Sequence, residues 1–367
     1  MSDRPAERRS RLQSRLVQAG LDGCLVTSEP NVRYLTGFTG DSTWLLVGAR
    51  RPPLLVSDRR YETQLAEETP GLEAMIRPPE QMLPQAAAQL LESSGLKSIG
   101  FEGHAVSVSL HQALAGGAPG VTLLPQGDLI EELRSIKDDD EIAEIRSAVD
   151  QAIRGFLALK AVLTPDRTER EFALELETLL RRFGARGFAF EPIIGVGDRA
   201  ALPHYHAGGR RLGESPLVLI DWGAETNACY RSDLTRTLFT GPADDEMRRV
   251  YDVVREAQRQ AIATVRPGAS GVEVDAVARK VLDDAGYGPL SHGLGHGFGL
   301  QIHEKPRLGP NFSQTLEAGM VVTVEPGIYI PGRFGVRIED DVLVTPEGCE
   351  VLSGRLASDW ESAQVAW

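Results

Sequence analysis

Five of the seven histidines fall in two short stretches: His204 and His206, then His292, His296 and His303. The second reads Ser291-His-Gly-Leu-Gly-His296-Gly-Phe-Gly-Leu-Gln-Ile-His303-Glu304, where interspersed glycines permit close backbone approach. Four carboxylates accompany them. Asp221 closes the apolar run Leu217-Val-Leu-Ile, and Glu325 closes Met320-Val-Val-Thr-Val. Asp233 stands in Arg231-Ser-Asp-Leu-Thr-Arg-Thr237, and Glu339 in Val336-Arg-Ile-Glu-Asp340. Two pairs of hard carboxylates with one imidazole suit two divalent cations such as Mn²⁺ or Co²⁺. A carboxylate can bridge two ions, and ions roughly 3.5–4 Å apart can hold a hydroxide nucleophile and polarise a carbonyl. Taken singly, each acid is an ordinary surface or capping residue. Asp340 and Asp341 are read that way, Asp340 pointing opposite to Glu339, and His206 is read as incidental to His204.

The elements that must position these residues come as a repeat. Pro165, Thr168, Glu171 and Gly184 recur as Pro267, Ser270, Glu273 and Gly286, each 102 residues later. Each unit carries a capping box, Thr or Ser followed three residues on by Glu, then an apolar-periodic helix closed by glycine. The strands that follow repeat as well: Asp221 and Glu325 are 104 apart, Asp233 and Glu339 106 apart. Two-fold packing of such halves would bring all four carboxylates together. In the last strand, period two sets Arg337 and Glu339 on one face and Val336 and Ile338 on the other. A helix predicted from Lys137-Asp-Asp-Asp-Glu141, with acids at its first turn and an apolar face of Ile142, Ile145, Val149, Ile153 and Phe156, opens this segment.

Upstream, residues 1–131 read as a separate α/β domain, and 136–367 as the α+β domain that carries the chemistry. The first holds a helix over Arg8–Ala19, strands at Gly23–Thr27, Thr43–Val47 and Pro53–Val56, a helix near Gln81–Leu91 and a strand at Ser98–Phe101. Glu29-Pro30-Asn31 reads as a turn. His104 and His111 are isolated there and read as surface or packing residues.

Five segments in order carry a resemblance: Asp221-Trp-Gly, Ser232-Asp-Leu-Thr-Arg-Thr, Gly295-His-Gly-Phe-Gly-Leu-Gln-Ile-His-Glu304, Val324-Glu-Pro-Gly-Ile-Tyr329 and Val336-Arg-Ile-Glu-Asp-Asp341. Together they resemble the methionine aminopeptidase / prolidase / aminopeptidase P superfamily. The stretch Asn31-Val-Arg-Tyr-Leu-Thr-Gly-Phe38 resembles the creatinase-type N-terminal domain of its proline-specific branch. The resemblance implies a pita-bread catalytic domain with internal two-fold duplication and hydrolysis of the bond between an N-terminal residue and a following proline. It implies two divalent metal ions, Mn²⁺ first and Co²⁺ or Zn²⁺ as alternatives, held by Asp221, Asp233, His296, Glu325 and Glu339. Asp233 and Glu339 would bridge them. Glu325 is the implied general base, with His303 and His292 as further catalytic residues; His204, Arg337 and Tyr329 are implied to contact substrate. Short peptides with proline second are the implied partners, and a homodimer the implied assembly.

One spacing departs from the branch. Asp221 and Asp233 lie twelve residues apart where eleven is usual, so Glu225-Thr-Asn-Ala-Cys-Tyr-Arg231 holds one extra residue. A turn or bulge can absorb it; an insertion inside the ladder would turn Asp233 to the wrong face.

Other readings are weaker. Gly195-Val-Gly197-Asp-Arg-Ala200 fits a dinucleotide fingerprint, but Pro203, Gly208 and Gly209 interrupt the helix it requires. A metal-free creatinase-like hydrolase or a binding protein on the same fold would have lost ligand positions, and all five are retained. A net charge of −13 disfavours nucleic acid. No apolar run is long enough to span a membrane. The charged N-terminus lacks a secretory core, and three scattered cysteines fit a reducing compartment, so a cytoplasmic location is expected.

Overall fold

The computed structural model describes residues 4–365. The chain divides into two compact units, with the division between Arg134 and Ser135. The first has a six-stranded mixed sheet in which Gly23–Val26 lies centrally, antiparallel to Trp44–Gly48 and parallel to Ser98–Glu102. Helix Leu83–Ser93 buries Ala86, Ala87, Leu90 and Leu91 in this domain's core. The expected elements are present with ends shifted by a few residues, as ends generally are.

One local reading is overturned. Glu29-Pro30-Asn31 is not a turn but the start of helix Glu29–Thr36. Pro30 sits in the first turn, where a missing N–H costs nothing, and Gly37 closes the helix in the left-handed conformation at φ +80. Asn31 is buried, its amide donating to Glu102 and Glu131 and its oxygen accepting from Arg134. His104 is exposed beside Glu131, and His111 packs its ring against Phe101.

In the second unit the duplication is visible in the elements. Helices Asp139–Lys160 and Glu169–Arg182 precede the strands of the first half; helices Asp245–Thr264 and Gly271–Asp284 precede those of the second. Asp138, Thr168, Asp244 and Ser270 cap the four helices with their side chains. In the first half, Leu217–Trp222 pairs antiparallel with Ile193–Val196 and Leu234–Phe239. In the second, Val321–Val324 lies between Gly295–Gly297 and Asp340–Thr345 in a five-stranded sheet. The halves touch where Thr235 bridges Glu339 across the sheets.

The apolar face predicted for the first helix is buried at Ile145, Val149, Ile153 and Phe156, with Ile142 half-buried. Phe156 stacks on Trp222 with ring centroids 4.3 Å apart, and the Trp222 indole donates to Ala152 O. Burying a side chain of this size stabilises by about 1.5–3 kcal/mol. It also fixes the strand end that carries Asp221. Among the described residues, no helix is long and apolar enough to cross a membrane.

Candidate active site

Asp221 lies in the penultimate position of Leu217–Trp222, opposite Thr235 in the ladder. The twelve-residue spacing to Asp233 is absorbed in the turn. Pairing keeps one register from Phe239 opposite Leu217, through Leu234 opposite Trp222, to Arg231 opposite Glu225. The hairpin closes over Asn227-Ala228-Cys229: Cys229 N donates to Thr226 O, Thr226 N donates to Tyr230 O, and Cys229 sits in the left-handed region at φ +67. This is a three-residue loop of the type I plus bulge kind. The ladder is not slipped, and Asp233 keeps the face of Thr235 and Asp221. In the second half the register of Val321–Val324 against Asp340–Thr345 makes Glu339, not Arg337, the counterpart of Thr235. Asp233 and Glu339 therefore sit two positions apart in the repeat, a shift that preserves the face.

Both carboxylates are buried and meet His296. Asp233, His296 and Glu339 each offer one ligand atom, all within 4.8 Å of one another. His296 Nε2 is 3.6 Å from Asp233 and 3.5 Å from Glu325. Its Nδ1 faces Gly297 O at 3.1 Å, an arrangement in which Nδ1–H donates and the Nε2 lone pair is free toward the carboxylates. The glycine before it is required: a Cβ at Gly295 would stand 2.0 Å from Thr323 O. Thr235 donates its hydroxyl to Glu339 at 2.7 Å, and the Asp233 amide donates to Asp341 at 3.2 Å. Asp221 accepts from Arg337 at 2.5 Å with one oxygen, and its other is buried with no hydrogen-bond partner among the described residues.

Electrostatics agree with a site built for cations. Burial raises all four carboxyls, Asp233 and Glu339 well above the ordinary range, with neighbouring carboxylates adding to the effect. Burial pushes Glu325 up to about 8 despite Arg337. It lowers His296 to about 3, assisted by His303, so that the imidazole is neutral and ligand-competent. His292 is lowered to about 4, and His303 is lowered too, by burial first and then Arg307.

These groups line a cavity of about 530 Å³ that also takes in His204, His292, His303, Arg307, Phe312 and Arg337. His303 meets His296 edge-on, ring centroids 4.4 Å apart. Tyr329 is not among the lining residues; its hydroxyl accepts from Arg337 at 2.8 Å and contacts His292 Nε2 at 2.9 Å. Because His292 Nδ1 faces Gly293 O at 2.7 Å, Tyr329 is the donor to Nε2. His206 is exposed at the rim, 3.1 Å from Glu191.

Two readings need correction. Asp340 and Asp341 are neither surface nor capping residues: both are buried. Asp340 does point away from Glu339, but into a network with Arg236, Gln258 and Ser353, while Asp341 holds the amide of Asp233. For Asp340, burial became possible because Arg236 supplies a buried counter-charge, which alternation along one strand does not reveal. The sequence reading also missed Arg307, whose place in a strand two residues past Lys305 gave no sign that it would overlook the cavity. The dinucleotide fingerprint fails: Gly197–Ala201 is a five-residue 3₁₀ turn, with no α-helix N-terminus for a pyrophosphate.

Comparison with known proteins gives the same answer as the geometry. The Xaa-Pro dipeptidase of Pyrococcus horikoshii is 35% identical over 91% of this chain and 93% of its own. The solved Xaa-Pro dipeptidase from Bacillus anthracis superposes with a TM-score of 0.90 at 36% identity, covering 95% of this chain and 98% of that one. The X-Pro aminopeptidase from Thermotoga maritima gives 0.86 at 32% identity, covering 97% and 99%. The creatinase/prolidase N-terminal domain pattern matches residues 8–136 and the catalytic pattern residues 143–346, so this chain, with its pita-bread second unit, belongs to metallopeptidase family M24.

Proposed function

We propose that the protein is a dinuclear metal-dependent exopeptidase that hydrolyses Xaa-Pro bonds, with dipeptides as its preferred substrates. The observation that carries this is the convergence of Asp233, His296 and Glu339, flanked by Asp221 and Glu325, on one cavity. The donor set fits divalent cations: the carboxylates repel one another, the imidazole is neutral, and one Asp221 oxygen is buried with no hydrogen-bond partner among the described residues. Asp221, Asp233, His296, Glu325 and Glu339 would hold two ions, Mn²⁺ by expectation, with Asp233 and Glu339 shared. When bound, such ions polarise the scissile carbonyl and make water nucleophilic at neutral pH.

The chain's own groups do the rest. Glu325 faces the cavity and serves as the base that takes a proton from water. His303 presents a neutral N–H donor where negative charge develops on the carbonyl oxygen. Tyr329 and Arg337 hold His292 in one tautomer at the wall. Arg307, exposed and without a carboxylate partner among the described residues, suits the free carboxylate of a dipeptide's proline. A homodimer and a cytoplasmic location remain expectations from the resemblance and the N-terminal composition.

The test compares Ala-Pro with Ala-Pro-Ala, using chelator-stripped protein with and without Mn²⁺. Metal-dependent cleavage of Ala-Pro, with Ala-Pro-Ala at least tenfold slower (about 1.4 kcal/mol), is the expected result. Equal rates would replace the dipeptidase reading with an aminopeptidase; no cleavage of either with Mn²⁺, Co²⁺ or Zn²⁺ would remove the peptidase reading.

A further inference from the structure

We propose that Glu169 is a positioning residue for hydrolysis, holding His204 at the cavity wall through the loop spanning residues 202–209. The proposal rests on the Xaa-Pro reading above, in which His204 contacts substrate. Glu169 opens helix Glu169–Arg182, yet its side chain is not a solvated first-turn acid: the residue is 0% exposed. Its carboxylate accepts three hydrogen bonds. One oxygen takes the Val196 N–H at 2.9 Å; the other takes the Tyr205 hydroxyl at 3.0 Å and the Gly208 N–H at 2.7 Å. No cation is paired with it among the described residues, so these donors and the helix N-terminus compensate its burial. Val196 ends the strand whose first residue, Ile193, lines the cavity; Tyr205 adjoins His204, and Gly208 lies near the end of the loop. One buried group thus ties the base of the loop to both its flanks.

The duplication shows what this group replaces. Glu169 N–H donates to Arg210 O at 2.9 Å, and Gly271 N–H donates to Gln314 O at 3.1 Å. Leu212 N–H donates to Arg167 O at 2.8 Å, and Leu316 N–H donates to Ala269 O at 2.7 Å. The loop before Arg210 and the loop before Gln314 are therefore counterparts, and each brings residues to the cavity: His204 in one, Arg307 and Phe312 in the other. At Gly271, the counterpart of Glu169, the loop closes by direct contact: a Cβ would meet Arg307 O at 2.3 Å and Phe312 O at 2.7 Å. In the first half the loop stands off, and the Glu169 carboxylate fills the gap and fixes the distance.

Glu169→Gln keeps the volume but offers an amide NH₂ where donors converge, so at least one of the three bonds is lost. Tyr205→Phe removes a single bond and leaves the rest. With Ala-Pro as substrate and metal content measured alongside, Glu169→Gln is expected to lower kcat/KM about tenfold, the scale of one lost buried hydrogen bond, with full metal loading. Tyr205→Phe should lower it less. Glu169→Gln combined with His204→Ala should be no slower than His204→Ala alone, because Glu169 acts through His204. Amide exchange over 202–209 should quicken in Glu169→Gln while Gly271–Asp284 exchanges as in wild type. Wild-type kinetics and exchange in Glu169→Gln, or losses that multiply with His204→Ala, would overturn the proposal. If Glu169→Gln lowers metal loading, Tyr205→Phe decides: quickened loop exchange at full loading supports it, and unchanged exchange overturns it. Failure of the Xaa-Pro reading shows separately, as wild-type enzyme inert toward Ala-Pro, and loop exchange then decides alone.

Discussion

His296 is prepared as a ligand before any ion arrives: its Nδ1 is committed to Gly297 O, and burial keeps the ring neutral. The carboxylates around it are the reverse, held together against their repulsion. Removing either proposed shared ligand, by Asp233→Ala or Glu339→Ala, should abolish loading of at least one ion and lower Ala-Pro turnover by roughly a thousandfold or more. Elemental analysis with an activity assay checks both, and full activity in either variant would end the two-ion account. His303→Ala should differ in kind. It should keep its metal and lose about a hundredfold to a thousandfold in kcat, as expected for removal of one donor to a developing oxyanion. Unchanged turnover would exclude that role.

At the scale of elements, the hairpin between Asp221 and Asp233 decides whether the second carboxylate faces the site. Because the extra residue sits in the loop Asn227-Ala228-Cys229 and the ladder beyond it is continuous, deleting Ala228 should leave metal stoichiometry unchanged. Deleting Tyr230 instead should slip the register and turn Asp233 away, with loss of metal; elemental analysis of the two deletions separates them. The same element shows what the sequence could tell. The faces of the four carboxylates were legible, because period two preserves them even though Asp233 and Glu339 prove to sit two positions apart in the repeat, and His296 was marked by the glycines around it. The place of the extra residue was not, since turn and bulge are equivalent in a count of residues. Asp340 and Asp341 were misjudged for a related reason: their burial depends on partners from another strand, Arg236 for Asp340 and the Asp233 amide for Asp341, contacts with no local trace. Helix Glu29–Thr36 was hidden because Pro30 punctuates a turn and a helix start alike. Arg307 and Glu169 escaped because what each side chain faces is set only by the tertiary fold.

For the whole molecule, the cost of the site should appear as a dependence of stability on pH. Glu325 has an ordinary value of 4.5 and rises to about 8 when buried without metal. Below pH 4.5 both folded and unfolded chains hold this proton. Between 4.5 and about 8 the unfolded chain has released it while the folded chain keeps it, so folding stability falls as pH rises. Up to pH 6.5 the buried neutral His292 and His296 oppose this slope, so chelator-treated protein should lose Tm between pH 6.5 and about 8, and Mn²⁺ should restore Tm most at the upper end. A Tm gain from Mn²⁺ that is independent of pH would contradict this linkage. The central claim, that five residues from two duplicated halves hold two ions which Xaa-Pro hydrolysis requires, is tested most directly by titrating Mn²⁺ into chelator-stripped protein while following Ala-Pro cleavage. Turnover should be absent without metal and should reach a plateau at two ions bound per chain. Full turnover in the stripped protein, or saturation of activity with no ion bound at Asp233 and Glu339, would contradict it.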